Sequence, residues 1–138
     1  MSTIEENKAL INEYFDEAWN KRNPTADDQF ISPDVVIHGS PLPGAPPGLE
    51  GAKAVLRMFI TAFPDLNVTN EDLVAEGDKV VQRWVSHVTH SGPLMGIPPT
   101  GKKVTLNGMN LFRIANGKIV ERWGVFDAMG LMQQPLFP

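Results

Sequence analysis

Asp127 closes a run of β-forming residues and is flanked by Phe126, Ala128 and Met129. A carboxylate in so apolar a setting must be paired, hydrogen-bonded or raised in pKa. A raised pKa suits a general acid or base near neutral pH. The same residue precedes Ala-Met-Gly, where an aspartate ordinarily caps a short helix, so capping and catalysis compete for it. Arg113, near the end of the strand before, is either a pocket cation that orients an anion or the ion-pair partner of Glu121 or Asp127. His38 follows Val-Val-Ile and enters a proline-rich loop, which fits a proton carrier as well as a strand-end donor. Trp84 and Trp123 fit the core or the wall of a ligand pocket. His87 and His90 lie an odd number of residues apart on one strand and point to opposite faces, so no metal site is expected from the histidines.

The elements that position these residues follow from periodicity. Thr3 or Ser2 with Glu5 or Glu6 is a capping-box signal, and apolar residues at helical spacing then predict one amphipathic helix over 3–21. TADDQF predicts a short second helix stopped by Ser32-Pro33, and residues 34–38 a brief strand. Residues 39–51, rich in proline and glycine, form neither helix nor central strand. A third helix is expected over 50–62, and four strands over 66–75, 79–90, 103–114 and 118–126. The second irregular loop, 91–101, separates the middle pair, and a short turn around 129–132 ends the pattern. The fold class is α+β, with N-terminal helices on one face of a curved, mainly antiparallel sheet. Such a sheet encloses a cavity roofed by the first helix, a usual place for a small ligand.

Alternation assigns faces within the strands. Trp84, Ser86, Val88 and His90 form one set and Arg83, Val85, His87 and Thr89 the other, and the aromatic set is expected inside. On the last strand Ile119, Glu121, Trp123, Val125 and Asp127 share a face opposite Val120, Arg122, Gly124 and Phe126.

Composition bounds the function. The 138 residues predict one domain, residues 1–138. Twelve Lys+Arg against sixteen Asp+Glu give a net charge of −4 without a basic cluster, which disfavours nucleic acid as a partner. The absence of cysteine excludes disulfides, thiolate zinc sites and a cysteine nucleophile. The N-terminal MSTIEENKAL lacks signal-peptide order, and no apolar run suits a membrane span, so a cytoplasmic protein that does not engage membranes is expected. Nucleotide-binding loops, a nucleophile elbow and an H-E-x-x-H helix are all missing.

Five segments taken together are more specific than any single residue. AFPDL (62–66), EGDKVVQRW (76–84), THSG (89–92), GIPPTGK (96–102) and GKIVERWGVFDAMGLMQQ (117–134) resemble the SnoaL-like polyketide cyclase or ester cyclase family, part of the nuclear transport factor 2-like superfamily. The resemblance implies a cone-shaped α+β barrel, commonly a homodimer, with an apolar pocket for a small hydrophobic molecule. It implies intramolecular aldol ring closure with neither metal nor cofactor. Asp127 matches the family's acid/base aspartate, and Arg113 stands where a histidine assists it, a cation able to stabilise an enolate. His38, Trp84, His90 and Trp123 are then the expected substrate-binding residues. The alternatives are a hydrolase, isomerase or dehydratase acting on a small hydrophobic substrate, or a non-catalytic ligand-binding or dimerisation domain. The two proline loops are expected at the pocket mouth.

Overall fold

The computed structural model describes residues 3–40, 42–94 and 96–134. Ser2, Met95 and the terminal PLFP of the expected motifs lie outside them. Thr3 caps α1 (Ile4–Tyr14): its hydroxyl accepts from the Glu6 N–H at 3.1 Å while its own N–H donates to Glu6 Oε1 at 3.1 Å. The expected single helix runs on, but as a π-helical segment, Phe15–Asn20. Its wider turn places Phe15, Ala18 and Trp19 together against the sheet. Arg22, at φ 59°, ends the segment by donating to the carbonyls of Trp19, Asn20 and Pro64.

After α2 (Ala26–Phe30) the chain enters β1 (Ile31–His38) directly, so Ser32-Pro33 lies inside a strand and does not terminate the helix. Proline is tolerated there because β1 is an edge strand whose pairing is interrupted between Ile31 and Val36. α3 (Gly48–Ala62), β2 (Thr69–Glu76), β3 (Lys79–Thr89), β4 (Lys103–Ala115), β5 (Lys118–Phe126) and α4 (Ala128–Gln133) complete the fold.

The sheet order is β1-β5-β4-β3-β2, with β1 parallel to β5 and every other pairing antiparallel. The architecture is α+β as expected, but the sheet is curved and unclosed: β1 and β2 are both edges and do not pair. Alternation along β3 and β4 gives one apolar face. Val80, Leu106, Phe112 and Ile114 pack there against Ile11 and Phe15 from the first helical stretch and Val55 and Phe59 from α3. A truncation such as Leu106→Ala in this core costs about 2–5 kcal/mol.

Two details fix the end of the sheet that bears the site. Asn116 and Gly117 take φ of 52° and 73°, the left-handed pair that a two-residue hairpin needs, and so set the β4–β5 register. Beyond the last β5 pairing, the side-chain amide of Gln134 takes over: it accepts from Thr105 N–H at 2.7 Å and donates to Thr105 C=O at 2.8 Å. The amide thus satisfies a strand edge that would otherwise be orphaned.

Candidate functional site

The curve of the sheet and the helices above it enclose a cavity of about 370 Å³. Its walls are aromatic: Phe15 and Trp19 from the π-helical segment, Phe59 from α3, and Trp84 and Phe126 from the sheet, the last two stacked at 6.5 Å and 4°. Gly108 allows this, since a Cβ there would lie 2.9 Å from the Trp84 indole nitrogen. The polar side chains in the lining are Asn110 and Arg122, on adjacent strands.

Arg122 donates to Asn110 Oδ1 through Nε at 3.2 Å and Nη2 at 3.1 Å. A guanidinium only donates, so the Asn110 amide is oriented without ambiguity. Its nitrogen donates to Gln82 Oε1 at 2.8 Å, Gln82 to Asn70 Oδ1 at 2.6 Å, and Asn70 to Asn12 Oδ1 at 3.0 Å. Three amides thus cross the sheet and a fourth, Asn12 on α1, extends the chain, with every oxygen turned toward Arg122. Their dipoles partly offset its charge, but no carboxylate among the described residues lies within ion-pair distance of Arg122. Burial holds the Arg122 pKa below its ordinary value. Deeper in the core, Trp19 donates to the Tyr14 hydroxyl, which donates to Asp27 Oδ1 at 2.9 Å. Burial pushes both Tyr14 and Asp27 upward in pKa.

Gly124 sits opposite Asn110 in the β4–β5 register. A Cβ at this position would lie 2.5 Å from Asn110 Oδ1 and 3.1 Å from Arg122 Nη2, so the glycine keeps the space beside the polar pair open. Gly39, at φ 70°, brings the end of β1 onto Gly124, where a Cβ would stand 2.7 Å from the Gly124 carbonyl.

The expected site residues fall into three places. Trp84 lines the cavity, and the choice of the Trp84 face of β3 as the inner one agrees with the structure. His90 continues that face but lies past the strand. It is fully buried against Phe63, with Nδ1 3.1 Å from Thr100 Oγ1, and outside the cavity lining. There it anchors the 91–101 loop, none of whose described residues lines the cavity, whereas Gly39 of the other proline-rich loop does.

His38, Arg113 and Trp123 come together, but on the outer face of the sheet. His38 stacks on Trp123 at 4.9 Å, and its Nε2 lies 2.8 Å from Glu121 Oε2, whose other oxygen accepts from Arg113 Nε at 3.0 Å. Those contacts, the His38 bond first, hold the Glu121 carboxyl below the usual range. Arg113 faces outward by plain alternation between the buried Phe112 and Ile114, whereas a bulge accounts for the placement of Trp123 on β5. Ile114 pairs with Ile119 but Arg113 with Glu121, so one extra residue on β5 reverses the alternation. Ile119 is inside as its apolar character requires, yet Trp123 is outside and Arg122 inside.

Asp127 follows the strand and is exposed, with Oδ1 accepting from Gly130 N–H at 2.8 Å as the N-cap of α4. Its neighbours Phe126 and Ala128 line the cavity and Asp127 does not. The residues that sequence reading left out are Arg122 and Asn110. The hairpin register could have found them, because counting back from Asn116-Gly117 with one bulge sets Arg122 opposite Phe112 on the apolar face. Among the described residues no cluster of His, Asp or Glu could hold a metal ion, and no helix is long and apolar enough to cross a membrane.

Comparison with known proteins places this geometry. The SnoaL-like polyketide cyclase model matches residues 9–135. No curated protein matches the chain. TsrD from Streptomyces laurentii is 30% identical, with 97% of each chain covered and a TM-score of 0.85. IdmH from Streptomyces antibioticus, described as "a putative polyketide cyclase", is 33% identical over 91% of this chain and 95% of its own, with a TM-score of 0.77. AclR from Streptomyces galilaeus, described as "a putative hydroxylase", is 30% identical over 94% and 95%, with a TM-score of 0.80. With a family match over nearly its whole length and a fold shared with these structures, the chain belongs to the SnoaL-like polyketide cyclase family.

Proposed function

We propose that the protein binds a small, largely apolar carbonyl compound in the inner cavity and promotes ring closure at it, with Arg122 and Asn110 as the polar end of the site. The observation that carries this reading is a partly buried guanidinium, braced by an amide and with no carboxylate partner among the described residues, at the end of an aromatic cavity. In an intramolecular aldol closure an α-proton leaves, the resulting enolate carbon bonds to a second carbonyl carbon, and that carbonyl oxygen becomes an alkoxide that takes up a proton. Charge therefore develops on oxygen twice, and a fixed cation in an aromatic-walled cavity stabilises it with little reorganisation. The aromatic walls hold the chain folded so that the two carbons approach. Protons between two carbonyls are acidic, and stabilising the enolate acidifies them further, so the α-proton passes to a solvent base, hydroxide or buffer, and the alkoxide takes one up from solvent. Asp127 in this reading is the cap of α4.

A second reading is favoured by a specific feature: among the described residues no carboxylate or histidine lines the cavity. It is binding without turnover. Assaying the protein and its Arg122→Met and Asp127→Asn variants against methyl esters of short polyketide-like β-keto acids separates the readings. Turnover by the wild type that survives Asp127→Asn and collapses in Arg122→Met is the expected result. Loss in Asp127→Asn with folding intact would return the acid/base role to Asp127, and binding without turnover would establish the second reading.

A further inference from the structure

The hydrogen-bonding capacity left free in the cavity is one-sided. Asn110 Oδ1 already accepts two N–H groups from Arg122, and its amide nitrogen is committed to Gln82. The Trp19 N–H is committed to Tyr14. What remains on the lining side chains is the unused Nη1 end of Arg122 and the Trp84 indole N–H, which donates to none of the described residues. Both are donors. A ligand that brings another donor leaves them unmet, whereas an anionic oxygen meets them and also supplies the missing counter-charge. Elsewhere in this sheet an arginine is given a carboxylate from the protein itself, as Arg113 is by Glu121.

We infer that the ligand enters this cavity already as an anion, with a carboxylate or a ring-conjugated enolate oxygen on a flat apolar skeleton, and that Arg122 selects it over the neutral ester or ketone. The inference rests on the cavity being the ligand site, as proposed above, and adds the charge of the species that binds. The shape of the cavity supports it: Trp84 and Phe126 stack at 4° and offer a flat wall, while Gly124 leaves room beside the guanidinium for the oxygen.

Isothermal titration calorimetry on the full chain tests it with two matched pairs, naphthoate against naphthamide and the enolate of acetylindanedione against indanone. At least one anion is expected to bind about tenfold or more tighter than its neutral counterpart. The pair that shows the preference identifies the source of the oxygen. In Arg122→Met the preference for the anion disappears, and Arg122→Lys retains part of it. Equal or tighter binding of both neutral compounds, a preference that persists in Arg122→Met, or no binding of any of the four overturns the inference. The wild-type comparison stands even where a variant fails to fold. Turnover of a β-keto ester that depends on Arg122, without any anion preference in the binding of the two pairs, would leave the proposed function intact and remove only this step.

Discussion

Two arginines on neighbouring strands of this sheet have opposite surroundings. Arg113 lies on the outer face, half-buried, with Glu121 and through it His38 as partners. Arg122 lies on the inner face, with amides for partners and aromatic rings around it. The first is a satisfied surface pair of a kind that contributes little to stability. The second is a partly buried charge with no counter-ion among the described residues, a costly arrangement unless something else makes use of it. A site is marked here less by residue type than by charge left uncompensated.

Substitutions that exchange or remove this asymmetry should have graded effects. Arg122→Met is expected to lower turnover of an accepted ester by about 10²–10³-fold, the scale for losing one oxyanion-stabilising donor. The fold should persist at a cost of about 1–3 kcal/mol, because an apolar chain of similar length fills the space but leaves Asn110 Oδ1 without its donors. Asn110→Leu leaves both Arg122 and Gln82 without their partner and should destabilise by about 1–3 kcal/mol in denaturant unfolding. Asp127→Ala should cost about 1 kcal/mol and Asp127→Asn almost nothing, since asparagine caps as well as aspartate, with turnover unchanged in the latter.

The smallest effects are in pH dependence, and their signs differ between the two faces. Glu121, held below its ordinary pKa of 4.5, contributes stability above that value that is lost as pH falls through its folded pKa. Glu121→Gln should flatten the acid limb of the melting-temperature profile. Asp27, raised by burial from 3.8, binds its proton more tightly in the folded state, so its contribution is largest at low pH and is lost as pH rises through the folded pKa. Asp27→Asn should therefore raise the melting temperature near neutral pH relative to wild type and leave it nearly unchanged in acid.

The helices and strands were legible because their periodicities are local. α3, β3, β4 and β5 lie within about two residues of their expected bounds, and the capping box at Thr3 and Glu6 is present as read. The π-helical segment was not legible, since its apolar positions fit an ordinary helix. Nor was the passage of Ser32-Pro33 into an edge strand, which depends on β1 finding β5 far along the chain. The site was legible only on β3, where unbroken alternation places Trp84 inside. On β5 a single bulged residue exchanged the faces, so Trp123 joined His38 and Arg113 behind the sheet and not in the expected pocket, and Arg122 took the interior. Asp127 illustrates a different difficulty: its residue type suits both a helix cap and an acid, and only its contact with Gly130 shows which neighbour it serves.

The position of a bound ligand tests the central claim most directly. A crystal structure of the wild-type protein soaked with the β-keto ester it turns over, or with naphthoate, is predicted to place a ligand oxygen within about 2.7–3.2 Å of the Arg122 guanidinium, with the skeleton against Trp84 and Phe126. A ligand seated instead on the outer face, against His38, Trp123 and Arg113, would contradict the account.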